Sequence, residues 1–177
     1  MTFLNKDIQV IELAAIHVDS IVEAFANANW PKAAELFYEY IEQQKDSLLY
    51  AWVALCQDNI AGYVTLNLRS KYSYFAQNNI PEIMDLNVLP QYRGLRIGSK
   101  LLLAAENKGF LFSKKVGLGV GLYADYGIAM QMYFRYGYCP DGKGITYQHA
   151  FCKPGDYVQL DDDLNIWLLK ELSDASK

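Results

Sequence analysis

The hydrophobic positions of the chain fall into short runs separated by polar or glycine-bearing breaks, and the spacing within each run predicts an element. Ile8 to Leu13 (IQVIEL) predicts a short strand, after which Asp19 is placed as the cap of a helix running to about Ala28. Trp30-Pro31 marks a break, and Pro31 suits the first turn of a second helix, PKAAELFYEYIEQQK. Its apolar residues Ala34, Phe37, Tyr38 and Ile41 fall at helical spacing and leave a charged opposite face. LLYAWVALC and IAGYVTLNL flank Gln57-Asp58-Asn59 and predict a hairpin. Lys71 to Asn79, polar but carrying Tyr72, Tyr74 and Phe75, predicts a loop that suits either a pocket lid or surface packing.

The second half continues with PEIMDLNVLP as a strand ending at Pro90 and QYRGLRIGSK as a glycine-containing connection. A helix follows from Gly98 to near Gly109, then a strand KVGLGVGLY and a short helix GIAMQMYFRY closed by Gly137. ITYQHAFCK and LNIWLLKEL predict two last strands, joined by a polar loop. A strand, glycine loop, helix and strand in succession imply a right-handed parallel crossover, and the other connections are antiparallel. The expectation is a mixed α+β fold: a mostly antiparallel twisted sheet of about seven strands, with helices on both faces.

The length of 177 residues suits one domain over 1–177, and 52% hydrophobic residues exclude a disordered chain. A formal net charge of −4 argues against a nucleic-acid partner and mildly favours a cationic small molecule. Cys56, Cys139 and Cys152 are widely spaced and form neither a disulfide framework nor, with His17 and His149, a metal pattern. MTFLNKDIQV lacks a leader pattern and no run reaches the ~18 apolar residues of a membrane span, so the expected setting is cytoplasmic.

The segment Val88 to Ser99 (VLPQYRGLRIGS) concentrates the chemistry. A strand runs into a loop with Gly94 and Gly98, and a helix begins at once. Such a loop can aim several backbone N–H groups at one anion, with the positive end of the helix dipole behind them. Arg93 and Arg96 add charge suited to phosphate oxygens. The competing reading is an ordinary connection with solvated arginines. The spacing of a P-loop is absent.

These residues resemble motif A of the GNAT superfamily of acetyl-CoA-dependent N-acetyltransferases, V-x-P-x-Y/W-R-G-x-G-I-G. Val88, Pro90, Tyr92, Arg93, Gly94, Ile97 and Gly98 match it, and Arg96 stands where the family usually has glycine. A second stretch resembles the family's N-x-x-A-x-x-L/M-Y-x-x-x-G-F/Y through Ala129, Met132, Tyr133, Gly137 and Tyr138, with Tyr126 at the asparagine position. The order of elements is similar over nearly the whole chain.

The resemblance implies that backbone groups of Leu86, Asn87 and Val88 bind pantetheine. It implies that the amides of Arg93, Gly94, Leu95, Arg96, Ile97, Gly98 and Ser99 hold the pyrophosphate, with Tyr126 and Ala129 toward the CoA arm. It also implies that Tyr133 protonates the departing thiolate, a task for a hydroxyl that is a donor at neutral pH. The alternative for Tyr133 is a core aromatic. Direct attack by an amine calls for a carboxylate or a water relay, and Asp85 is the candidate base. The alternative for Asp85 is a solvated carboxylate. Strand alternation sends Glu82 to the opposite face.

The implied reaction needs no metal. The acceptor is a primary amine of a small molecule, with polyamines, aminoglycosides, amino acids and peptide N-termini all open. Two rivals stand beside it: a CoA-binding module without catalysis, and a protein-interaction domain without CoA. The last strands could pair two subunits as a homodimer. Gly119-x-Gly121-x-x-Ala124 formally matches a dinucleotide fingerprint, but no helix opens at those glycines. Alternating glycines there predict a bare strand face, where a ligand arm or a helix can lie close. Asp161, Asp162 and Asp163 predict a solvated hairpin turn, and His149 a structural role.

Overall fold

Strand β1 (Ile8–Glu12), helices α1 (Val18–Asn27) and α2 (Ala34–Lys45), and strands β2 (Leu49–Cys56) and β3 (Asn59–Asn67) follow one another in that order at the start of this computed structural model, which describes residues 7–173. Next come α3 (Ser73–Asn78), β4 (Glu82–Val88), α4 (Ile97–Gly109), β5 (Lys115–Gly121) and α5 (Gly127–Arg135). β6 (Cys139–Tyr147), β7 (Ala150–Phe151) and β8 (Leu164–Glu171) complete the chain. The eight strands follow the order β1-β2-β3-β4-β5-β8-β6-β7, with β4 and β5 parallel, so the fold is mixed α+β and mostly antiparallel. The sheet has one strand more than expected. ITYQHAFCK is a hairpin of β6 and β7 that turns at Gln148 and His149, whose φ values are 49° and 65°. Two adjacent left-handed residues make a tight two-residue turn that no glycine announces.

Two compact units divide the chain. The first comprises Met1–Asn67 and Asp85–Asn107. In it β1 and β2 pair antiparallel from Ile8↔Cys56 to Glu12↔Trp52, and β2 turns into β3 through left-handed Gln57 and Asp58. Val18, Ile21 and Phe25 recur on one face of α1 and are fully buried. Phe25 and Phe37 meet the Tyr63 ring edge-on at 5.3 and 5.2 Å between centroids.

Two helix starts differ from the expected ones. Asp19 lies inside the first turn of α1, where its charge suits the helix dipole, and His17 occupies the cap. The His17 Nδ1 accepts the Ala14 N–H at 3.0 Å. α2 begins at Ala34, after an extended residue at Ala33, so Pro31 precedes the helix.

The second unit comprises Leu68–Met84 and Lys108–Lys177. β5 pairs parallel with β4 at Glu82↔Gly117 and antiparallel with β8 from Lys115↔Glu171 to Gly121↔Asn165. The Tyr72 and Trp167 rings stack at 4.1 Å with planes 3° apart, and Phe75 packs edge-on against both. Lys71 to Asn79 is therefore not a lid. It carries α3, whose Phe75 is fully buried beside Tyr72, and it ends at left-handed Asn79. Six helical residues are too few for a readable period, and their aromatic rings were the stronger signal of burial.

Among the described residues, no helix is long and apolar enough to cross a membrane. The leader reading rests partly on residues 1–6, which lie outside the described ones.

Candidate active site

Strand β4 carries both carboxylates singled out from the sequence. Glu82 is buried and accepts the Ser70 hydroxyl at 2.5 Å. Asp85 is exposed and has φ +51°, so the backbone leaves regular β geometry in mid-strand. Aspartate tolerates that left-handed conformation better than most residues. The Asn87 side-chain amide donates to the Asp85 carbonyl at 3.1 Å. Gly62 on β3 admits the bent strand closely, because a Cβ there would lie 2.3 Å from the Asn87 carbonyl oxygen. Leu86, Asn87 and Val88 are half-buried.

Sequence reasoning missed the partner of Asp85. The Tyr40 hydroxyl, on α2, donates to Asp85 Oδ2 at 2.5 Å. Burial and then the Asp85 charge raise the Tyr40 phenol above its ordinary range. Tyr63 is also raised by burial and by Asp85, against a smaller lowering from the Asn87 side chain beside its buried hydroxyl. The apolar face expected for α2 held Tyr38, which is exposed, and left out Tyr40, which is buried, and helical spacing contains nothing about which strand residue the hydroxyl meets.

The connection from β4 to α4 combines two left-handed loop positions with the start of a helix. After a short helical turn at Pro90–Tyr92, Arg93 is extended, Gly94 has φ +78° and Arg96 has φ +62°. Arg96 thus adopts a left-handed conformation that glycine takes without steric cost, at a cost of about 1 kcal/mol for a side chain. The first helical bond runs from Lys100 N–H to the Arg96 carbonyl at 3.1 Å. The Ile97 and Gly98 amides therefore precede any intrahelical acceptor. Ile97 is buried and pins the helix start, Leu95, Gly98 and Ser99 are half-buried, and Arg93, Gly94 and Arg96 are exposed. Arg93 Nε donates to the Val88 carbonyl at 3.2 Å. Space is open where a Gly94 Cβ would stand. Helix-end amides, two guanidinium groups and an uncrowded loop fit a diphosphate.

The second unit holds the other singled-out residues. Tyr133 on α5 is 8% exposed, its ring lies 5.8 Å from Tyr138, and burial pushes its phenol up to about 12. Ala129, one turn earlier, is half-buried. The Tyr126 hydroxyl donates to Asp162 Oδ1 at 2.8 Å, and Tyr123 donates to the same oxygen. The face of β5 left bare by glycines is filled by rings. A Cβ at Gly117 would meet Phe75 at 2.2 Å, one at Gly119 would meet Trp167 at 3.2 Å, and one at Gly121 would meet Tyr126 at 2.4 Å.

The three consecutive aspartates are not simply solvated. Asp161 accepts the Tyr147 hydroxyl at 3.2 Å, and Asp162 accepts Tyr123 and Tyr126. His149 sits at the β6–β7 turn with its ring 5.9 Å from Trp167.

The profile of the acetyltransferase (GNAT) family matches residues 17–138. Among proteins of curated function, none matches the sequence. An acetyltransferase from Salmonella typhimurium that modifies the N-terminal serine of a 50S ribosomal subunit protein superposes with a TM-score of 0.69 at 13% identity, covering 96% of this chain and 97% of that one. A chimera of the Vibrio cholerae spermidine N-acetyltransferase gives 0.63 at 18% identity, over 93% and 94%. An N-acetyltransferase from Thermoplasma acidophilum in complex with coenzyme A gives 0.59 at 14% identity, over 93% and 99%. At such identities the likeness shows the fold alone.

Proposed function

The chain belongs to the GNAT acetyltransferase family, and on that premise we propose that residues 1–177 act as one domain that transfers the acetyl group of acetyl-CoA to a primary amine of a small molecule. The observation that carries this reading is the cradle. Arg96 keeps a glycine-like φ of +62° beside Gly94 at +78°, and the amides that open α4 follow. That donor set suits the pyrophosphate of CoA, and the half-buried backbone of Leu86, Asn87 and Val88 suits its pantetheine arm.

Acetyl-CoA supplies a thioester activated toward nucleophiles. The chain's own residues handle the protons. Asp85, exposed on β4, takes the proton from the attacking nitrogen as the N–C bond forms. A backbone amide near Val88 stabilises the charge that develops on the acetyl oxygen. Tyr133 Oη gives its proton to the thiolate as the C–S bond breaks. Its phenol, pushed up to about 12, is in the donor form throughout the neutral range. Tyr126 and Ala129 precede Tyr133 on the segment that lines the CoA arm in this reading, and Tyr126 contributes its ring, since its hydroxyl is engaged by Asp162.

The net charge of −4 and the exposed Asp85 favour a cationic acceptor. The spermidine enzyme among the structural neighbours supports a small amine, whereas the ribosomal-protein enzyme supports a peptide N-terminus as the second reading. The setting we propose is cytoplasmic, without metal, nucleic acid or membrane, and the final strands provide an edge for a homodimer.

The test is release of CoA thiol from acetyl-CoA with polyamines, aminoglycosides, amino acids and short peptides as acceptors. Amine-dependent release that collapses in Tyr133→Phe supports the transferase. Thermal stabilisation by acetyl-CoA without release across the panel would point to a CoA-binding module instead.

A further inference from the structure

An exposed aspartate ordinarily samples several rotamers, because its terminal torsion is broad. Asp85 is not in that position. Its backbone is left-handed at φ +51°, and its Oδ2 accepts a 2.5 Å hydrogen bond from a tyrosine 45 residues earlier. That tyrosine is itself immobilised: Tyr40 is 7% exposed and meets Phe37 edge-on at 6.1 Å. Backbone strain and a buried donor converging on one exposed carboxylate are the marks of an orientation that the fold enforces.

Resting on the reaction proposed above, we infer that Tyr40 is the positioning residue for Asp85, holding Oδ2 so that Oδ1 is the oxygen that meets the acceptor nitrogen. Asp85 Oδ1 makes no hydrogen bond among the described residues, so it is open to an N–H donor. Tyr40 does not compete for the proton. Burial and the neighbouring charge keep its phenol protonated, so it donates at every pH where an amine can attack. Tyr63 supplies an internal control. It lies in the same aromatic group and feels the same charge, but its hydroxyl does not bond the Asp85 carboxylate.

The experiment is steady-state kinetics of wild type, Tyr40→Phe, Tyr63→Phe, Asp85→Asn and the Tyr40→Phe/Asp85→Asn pair, with the best acceptor of the panel. Loss of one hydrogen bond to a charged group predicts a fall of about tenfold or more in kcat for Tyr40→Phe. KM for acetyl-CoA should stay within about twofold, as should all constants of Tyr63→Phe. In the Asp85→Asn background, Tyr40→Phe should add almost nothing. An unchanged kcat, or an equal loss in both backgrounds, overturns the inference.

A second readout needs no turnover and no folded Tyr40 variant. In wild-type protein carrying carboxyl-labelled aspartate, the resonance that disappears in Asp85→Asn should show a deuterium isotope shift from a shared hydroxyl proton. Its absence overturns the pairing. If wild type acetylates nothing, the reaction reading fails while this resonance still decides whether Tyr40 holds Asp85.

Discussion

Asp85 in the first unit and Asp162 in the second both accept hydrogen bonds from tyrosine hydroxyls. In the first, a single donor, Tyr40, takes Oδ2. In the second, Tyr123 and Tyr126 converge on Oδ1, and the Asp162 carbonyl accepts the Asn165 side chain at 2.9 Å. A carboxylate has about four acceptor positions, so one donor orients it without using it up, while several donors turn it into a structural tie. Asp162 fastens the segment before α5 to the start of β8. Asp85 keeps one oxygen open. Under the reaction proposed above, the same residue pair therefore serves chemistry in one place and architecture in the other, and the difference lies in how many donors surround the acid.

The sharpest way to break this comparison is to neutralise each aspartate. Asp85→Asn keeps an acceptor for Tyr40 but cannot take a proton, and kcat for acetyl transfer should fall about 10²–10³-fold with little change in melting temperature. Asp162→Asn should leave kcat within about threefold and lower the melting temperature instead, by the loss of about 1 kcal/mol. Equal kinetic damage in the two variants would erase the distinction.

Tyr133 extends the test to the proton donor proposed in the second unit. Tyr133→Phe should reduce kcat about 10²-fold. Because the folded phenol is raised to about 12 from its ordinary value of 10.0, it stays protonated well past the pH at which a solvated tyrosine ionises. Its burial contributes stability that is complete below pH 10 and is lost as the pH rises toward 12. Alkaline melts of wild type should therefore decline more steeply across that interval than those of Tyr133→Phe.

The packing of the second unit comes next in size. Gly117→Ala places a Cβ 2.2 Å from Phe75 and should cost about 1–3 kcal/mol in urea unfolding. A neutral result would mean that the Phe75 ring swings aside and that the glycines of β5 are not needed for the aromatic group.

The smallest effect concerns the cradle. Arg96→Gly removes a side chain from a left-handed position and should stabilise the protein by about 1 kcal/mol. If the Arg96 guanidinium also meets phosphate, the same variant should bind CoA less tightly, with a shallower dependence on salt.

Much of the fold was legible because the signals were local. The β2–β3 hairpin, the amphipathic α1 and the glycine loop before α4 each show in a run of neighbouring residues. What escaped were contacts between residues far apart in the chain. Nothing near Tyr72 announces its stacking on Trp167, and nothing in the three aspartates announces Tyr123, Tyr126 and Tyr147. α3 and the Gln148-His149 turn were too short to carry a period, and their residue types did not advertise the backbone they adopt.

By itself the sequence determined the order of the elements other than α3 and the β6–β7 turn, and the strand–loop–helix that resembles a CoA cradle, and it offered Asp85 and Tyr133 as the candidates for moving protons. Hydrophobic spacing and glycine placement act over a few residues, so they can be read from a few residues. Only the tertiary structure decided that Arg96 takes a glycine's conformation, that aromatic rings fill the glycine face of β5, and that Tyr40 holds Asp85. Each of those depends on a distance between segments that the folded backbone sets, and a hydrogen bond or a ring contact is won or lost within a few tenths of an ångström of it.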